Sequence, residues 1–323
     1  MRRFQAILLA VGLIAAVAVI GVYGFSDISA ALASAGWGIL WIVLFHFIPL
    51  AADMLGWARL FDDRERPPTG PLYLARWVSE SVNNLLPVAQ VGGEVVRARL
   101  VQRRGCPGDH AGATVIVDLT MGLFTQIFFA VAGLTMLVAL IGFNGQVGAI
   151  VTGIAIFSAL IIGFFFAQRA GLIGQAGNAA AWVGRVVKTD SLLAIVGNTQ
   201  RLDAALHAIY RRRDRLVQCA ALRMASWVLG AFEVWLGMTV LGHPIGAAEA
   251  IVIQSLAMAI RSAAFAIPAG LGAQEGGFLI VGTLLGLPPE AALALALLRR
   301  VREILFGLPG LAIWWLMEKR PAS

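Results

Sequence analysis

A chain of 323 residues with 59% apolar and only 13% charged residues, and a mean hydropathy of +0.82, does not have the composition of a water-soluble globular protein. Soluble chains carry about a quarter charged residues, so this one has more apolar surface than a soluble core hides, and an all-α polytopic membrane protein is predicted. The 25 Lys and Arg against 18 Asp and Glu point to basic cytoplasmic loops rather than to nucleic acid, because no recognition motif with interleaved aromatics accompanies them.

In chain order, Arg2 and Arg3 precede an apolar run from Phe4 to Gly24. The run is longer than a signal-peptide core, so an uncleaved first span is expected. Further stretches long enough to cross a bilayer fall at 37–60, 112–141, 147–167, 217–241 and 290–317, which makes about six full spans. Two other segments, 72–103 and 248–287, are apolar but interrupted by Pro and Gly at Pro87–Gly93 and Pro268–Gly277. Each reads as a re-entrant helical hairpin, whose broken backbone is tolerated at membrane depth only where it faces protein or a wet cavity. Residues 168–216 form the one sizeable polar stretch within a single transmembrane domain spanning 1–323. Its Ile195, Thr199, Leu202, Leu206 and Ile209 recur at helical spacing, which predicts a cytoplasmic amphipathic helix lying on the anionic inner leaflet.

Charge placement fixes an orientation. With the N-terminus in the cytoplasm, the external connections 25–36, 142–146 and 242–247 hold no Lys or Arg. Arg64, Arg66, Arg103, Arg104, Arg169, Arg185, Lys188, Arg201, Arg211, Arg212, Arg213, Arg215, Lys319 and Arg320 then lie on cytoplasmic flanks, and the C-terminus is cytoplasmic too. The positive-inside rule holds throughout only if both broken segments return to the side they came from, the first entering from the cytoplasm and the second from outside. This opposition suggests an inverted repeat of the kind found in transporters. Glu94 follows Pro87 by seven residues with Gly92 and Gly93 between, and Glu275 follows Pro268 by seven with Gly270 and Gly272 between. Asp118 and Arg299 stand 24 residues after these glutamates, and the match predicts that Asp118 meets Arg299 or Arg302.

The four histidines, His46, His110, His207 and His243, show no metal-ligand spacing, and Cys106 and Cys219 are isolated, so neither a metal nor any other cofactor is expected. The run Asp62-Asp63-Arg64-Glu65 has a carboxylate density suited to magnesium on a diphosphate, yet its interleaved arginines suit a solvated loop. No catalytic constellation is present, and no enzymatic activity is expected. What stands out is charge at membrane depth: Asp53, Glu80, Glu94, Arg97, Asp118, Glu233, Glu249, Arg261, Glu275, Arg299, Arg300, Arg302 and Glu303. Such residues must face one another or a polar cavity. Arg299 and Glu303, spaced i to i+4, are candidates to neutralise each other. Glycine-led half-helix N-termini and arginines together suit an anion, in particular a phosphate-bearing lipid headgroup.

At the broken segments the sequence resembles a known family. Asn84-Leu85-Leu86-Pro87 with Gly92-Gly93-Glu94-Val95-Val96-Arg97, then Pro268-Ala269-Gly270-Leu271-Gly272-Ala273-Gln274-Glu275, then Arg302 seven residues before Pro309-Gly310, are similar to three signatures of the lysylphosphatidylglycerol synthetase transmembrane, or flippase-like, family. The region around Asp118 and the arginine-rich end resemble its hopanoid-biosynthesis branch. Where relatives often carry a Glu-Arg pair, Val117 and Asp118 stand here. The resemblance implies a bacterial inner-membrane protein that moves or handles a lipid, with lipid-biosynthesis enzymes as possible partners; the alternative is an accessory or modifying component of lipid (hopanoid) biosynthesis. Aminoacyl transfer in bifunctional relatives belongs to a separate soluble domain, and the last apolar stretch here ends at residue 317, close to Ser323. The expected substrate contacts are Arg97 and Arg302, with Glu94, Glu275, Asp118 and Arg299 around them and Pro87, Gly92, Gly93, Pro268, Gly270 and Gly272 shaping the backbone.

Overall fold

The computed structural model describes residues 33, 35–63, 65–86, 92–143, 145–169, 199–264 and 272–319, and all their regular structure is helical. The helices are α1 (Gly38–Phe45), α2 (Phe47–Ala58), α3 (Thr69–Leu85), α4 (Gly92–Gln102), α5 (Gly108–Ile141), α6 (Gly145–Arg169), α7 (Thr199–Arg211), α8 (Arg213–Val240), α9 (Ala247–Ala263), α10 (Ala273–Leu284) and α11 (Pro289–Lys319). The expected first span, Pro87, Pro268, Gly270 and most of the 168–216 stretch lie outside the described residues.

Among the described residues, three helical stretches are long and apolar enough to cross a membrane: Gly38–Ala58, which joins α1 and α2, together with α5 and α8. The α11 helix has the length, at 31 residues, but carries Arg299, Arg300, Arg302 and Glu303 in its middle. Large apolar side chains stand outward on these helices, among them Trp41, Ile48, Phe128, Phe232 and Leu316. Buried charge inside and apolar surface outside is the arrangement a lipid solvent demands.

Among the described residues, helix ends at Leu85 and Ala263, beside the two predicted interruptions, while Gly92, Gly93 and Ala273–Gly277, counted within those interruptions, are already helical. Leu86 is extended (φ −109°, ψ 148°), as expected of a residue preceding proline, and helix resumes at Gly92. The second break follows Ala264, and α10 starts after Gly272, whose φ of +79° is readily adopted only by glycine. The two arms of each broken segment pack on each other, α3 on α4 and α9 on α10. Gly93 makes the first contact possible, because a Cβ there would collide with the carbonyl of Ser79.

Two apolar clusters mark opposite ends of the molecule. One contains α3 and α4, the start of α5 (Ala111–Val117), Cys219 of α8 and the end of α11 (Leu311, Trp314). The other contains α9 and α10, the later part of α5 (Ala130, Leu137), the end of α8 (Val234, Met238) and the start of α11 (Ala291–Ala296). Hence α5 and α11 run in opposite directions between the clusters. Their packing is reciprocal as well: α5 lies on α9, and α11 lies on α3. This is the exchange that two oppositely directed repeats, α2–α5 and α8–α11, produce. Basic links gather at the first cluster's end, where Arg212 meets Asp62 at 2.9 Å, Arg215 meets Asp63 at 2.9 Å and Arg103 meets Glu318 at 2.9 Å.

The described part of the polar stretch departs from expectation. Leu202, Leu206 and Ile209 of α7 are buried in the first cluster, and α7 packs on α5. Its apolar face is taken by the protein rather than presented to the leaflet, because the start of α5 offers a complementary apolar surface on the same side.

Candidate functional site

The membrane-depth charges assemble into two buried networks, each built from both repeats. In the first, Asp118 of α5 is fully buried and receives Arg97 Nη1 at 2.6 Å and Arg223 Nη2 at 3.0 Å, with Arg76 Nη1 at 3.9 Å. Arg97 Nη2 lies 2.5 Å from Glu94, and Asp53 joins Arg76 at 2.8 Å to Arg223 at 3.0 Å. Three carboxylates thus face three arginines. The Arg97 guanidinium also lies over the ring of Trp57, 4.7 Å from its centroid, a cation–π contact that strengthens with desolvation.

The second network spans α3, α8, α9, α10 and α11, with His46 at the junction of α1 and α2. Glu233 Oε1 pairs with Arg302 Nε at 3.1 Å and Arg299 Nη1 at 3.4 Å, and Arg302 Nη1 is 3.5 Å from Glu80. His46 lies 2.8 Å from Glu233 through Nδ1 and 2.7 Å from Glu80 through Nε2. Glu303 takes Arg261 at 3.1 Å and Arg300 at 2.8 Å, and Arg300 reaches Glu275 at 2.5 Å. Arg261 also donates to Asn84 at 2.7 Å, and Gln274 donates to Glu303 at 3.1 Å.

The half-helix starts are partly occupied by the protein's own acceptors. The backbone NH of Gly272 donates to Glu275 at 2.8 Å, and that of Gly93 donates to the side-chain oxygen of Asn83 at 2.8 Å. Glu94 accepts longer contacts from Ser79 and Asn83, both 3.4 Å. The two glutamates therefore sit where the helix dipole and capping favour a carboxylate.

The expected pairing of Asp118 with Arg299 or Arg302 is not formed. Asp118 belongs to the first network, where arginines of α3, α4 and α8 reach it, and both arginines belong to the second, where Glu233 of α8 takes them. Nor do Arg299 and Glu303 neutralise each other: Glu303 turns to Arg261 and Arg300, while Arg299 turns to Glu233. Arg97, Glu94 and Asp118 do meet, as do Arg299 and Arg302 around Glu233. Sequence reading passed over Arg76, Arg223 and His46. The first two lie within the apolar stretches 72–103 and 217–241 and His46 within 37–60, where an ionisable residue is costly, so that signal was available; the partners of His46, 34 and 187 residues away, were not legible.

These pairs satisfy charge more completely than hydrogen-bond direction. Buried nitrogens of Arg97 (Nε, Nη1, Nη2), Arg299 (Nε, Nη1) and Arg302 (Nε, Nη1) have no hydrogen bond of good geometry despite the carboxylates beside them. Outside the membrane region, Asp62, Glu65 and His110 bring ligand atoms within 4.8 Å of one another, and Asp62 is also held by Arg212.

Comparison with known proteins agrees with this architecture. The family model for the lysylphosphatidylglycerol synthase TM region matches residues 6–310. A UPF0104 membrane protein of Methanothermobacter thermautotrophicus is 28% identical over 318 residues, covering 93% of this chain and 91% of the relative. No solved structure matches the chain.

Proposed function

The chain belongs to the lysylphosphatidylglycerol synthase transmembrane-region family, and from that premise we propose that this multi-pass membrane protein moves a lipid between leaflets, without catalysing a covalent step. The observation that carries the reading is the pair of buried, charge-balanced networks between oppositely directed repeats, beneath an apolar exterior. Buried ion pairs contribute little to net stability compared with apolar packing, so networks on this scale favour a role in function. Re-entrant hairpins meeting at the midplane, with both termini in the cytoplasm of an inner membrane, are part of the same proposal.

Lipid translocation asks for a polar path that takes a headgroup while the acyl chains stay outside. Arg97 and Arg302 are the proposed contacts, with Glu94, Glu275, Asp118 and Arg299 around them. Their misaligned NH donors gain better acceptors when a phosphate enters, so an anionic headgroup is favoured over the hopanoid suggested by the region around Asp118. Lipid-biosynthesis enzymes are the natural suppliers of such a substrate.

The test is lipid mass spectrometry of the purified protein, followed by transfer of headgroup-labelled phosphatidylglycerol in proteoliposomes. Arg302→Lys keeps the charge but loses the planar fork, and is expected to slow transfer at least tenfold while folding is kept. Asp62→Asn with Asp63→Asn is expected to leave transfer unchanged. Normal transfer by the Arg97 and Arg302 variants, with loss in the Asp62 and Asp63 variant, would overturn the reading in favour of a magnesium-dependent lipid enzyme.

A further inference from the structure

Among the buried charges of the described residues, His46 is the group whose two contacts disagree with its ordinary proton inventory. Nδ1 lies 2.8 Å from Glu233 Oε2 and Nε2 lies 2.7 Å from Glu80 Oε1. A neutral imidazole has one donor and one acceptor nitrogen, and an ionised carboxylate only accepts. With both glutamates ionised, a neutral ring would set one nitrogen lone pair against a carboxylate oxygen at hydrogen-bond distance. The geometry requires one further proton, held either on the ring as imidazolium or on one of the two carboxyls.

The surroundings make this proton exchangeable. His46 faces Glu80 of α3, Glu233 of α8 and, through them, Arg302 and Arg299 of α11. Phe306 presents its ring edge-on at 4.7 Å, and Tyr73 donates to the carbonyl of the neighbouring Phe47 at 2.9 Å. The Glu233 side chain is shut in at 1% exposure, whereas that of Glu80 is 21% exposed, so Glu80 is the side from which a proton arrives and leaves. The second network otherwise sets Glu80, Glu233, Glu275 and Glu303 against Arg261, Arg299, Arg300 and Arg302. Among the described residues, the added proton is therefore its only unbalanced charge.

The position of the ring gives the proton a mechanical consequence. His46 is the residue between α1 and α2, inside one apolar crossing. Pro49 removes the NH that would bond back to Phe45, which weakens the helix there. The ring ties this joint to α3 of the first repeat and to α8 of the second. When the proton leaves, the Nε2–H bond breaks, its electron pair stays on nitrogen, and the proton passes by way of Glu80 to water. A lone pair then faces a carboxylate, and the ring no longer ties α3 to α8.

We propose that His46, Glu80 and Glu233 form a proton-binding site that links the two repeats, and that its loading and unloading drives the lipid step. The second clause rests on the lipid-translocation reading; the first does not. The site is tested on the full chain in nanodiscs with 15N-labelled histidine, the His46 signals being assigned by their loss in His46→Gln. Between about pH 5 and pH 9 the expected result is a doubly protonated ring that gives way to a singly protonated one. A neutral ring with a protonated-carboxyl infrared band that vanishes in Glu80→Gln or Glu233→Gln supports the site equally. A neutral ring throughout, with no such band, overturns it.

Coupling is tested in proteoliposomes of phosphatidylglycerol and phosphatidylcholine. An imposed pH gradient should change the rate of labelled phosphatidylglycerol transfer several-fold, and His46→Gln should lose that response. His243→Gln, in the exposed link before α9, should keep it. A titrating site with transfer indifferent to the gradient overturns the coupling. A titrating site with no lipid transfer under any gradient upholds the proton site and counts against lipid translocation.

Discussion

Asp118 shows how a buried carboxylate is made tolerable. It is wholly inaccessible, and three guanidinium groups, from Arg76, Arg97 and Arg223, surround it. Asp118→Asn leaves those arginines short of one negative charge and is expected to destabilise the protein by about 3–5 kcal/mol, the usual cost of stranding a buried charge. Adding Arg97→Met removes the excess, so the double variant should be markedly more stable than additivity predicts. Asp118→Asn combined with Arg302→Met, which touches the other network, should be additive within about 0.5 kcal/mol. Thermal unfolding in detergent for the two double-mutant cycles checks both, and coupling in the second cycle rather than the first would contradict the network assignment.

At the level of helices, the broken segments depend on close approach as much as on the proline and glycine that interrupt them. Gly93 lies against the backbone of α3, and its NH donates to Asn83. Gly93→Ala is expected to force the arms of the hairpin apart, at about 1–3 kcal/mol, and to displace Glu94 from Arg97. Gly70, at the start of α3, has open space where a Cβ would go, so Gly70→Ala should be close to neutral. The comparison is read as the difference in midpoint of thermal unfolding. Equal effects would mean that Gly93 matters only through backbone propensity. The same close approach recurs in the second hairpin, where a Cβ on Gly277 would stand 3.1 Å from the Cα of Ala257.

For the molecule as a whole, the orientation is testable through cysteine accessibility. Single cysteines at Ser29, Asn144 and Gly246 should label with an impermeant thiol reagent on intact spheroplasts, while those at Arg64, Thr189 and Lys319 should not. The native cysteines give little background. Cys219 is buried within α8, and burial pushes the Cys106 thiol up to about 12, with Glu65 and Asp109 adding to the effect, so little reactive thiolate exists at neutral pH. Labelling at Lys319 from outside would remove one hairpin and give an additional crossing.

Much of this architecture is determined by sequence alone. Apolar runs mark the long helices, and Pro87 and Gly92 mark the first break, because backbone restrictions at proline and glycine act locally and need no neighbours. The opposition of the two repeats is also legible, since positive charge is excluded from one set of loops. What the tertiary structure decides is partnership. The matched spacing of Asp118 and Arg299 suggests a contact, yet Asp118 is taken by arginines of α3, α4 and α8 and Arg299 by Glu233 of α8, which puts them in different networks. The apolar face of α7 is equally clear in sequence, but only the fold shows that it meets α5 instead of lipid. His46 stands out only as an ionisable residue in an apolar run, and its chemistry is not legible there, because the two carboxylates that define it arrive on α3 and α8. Local rules fix where a helix begins, ends and breaks; which charges share a buried site depends on helices distant in sequence, and only their packing can set that.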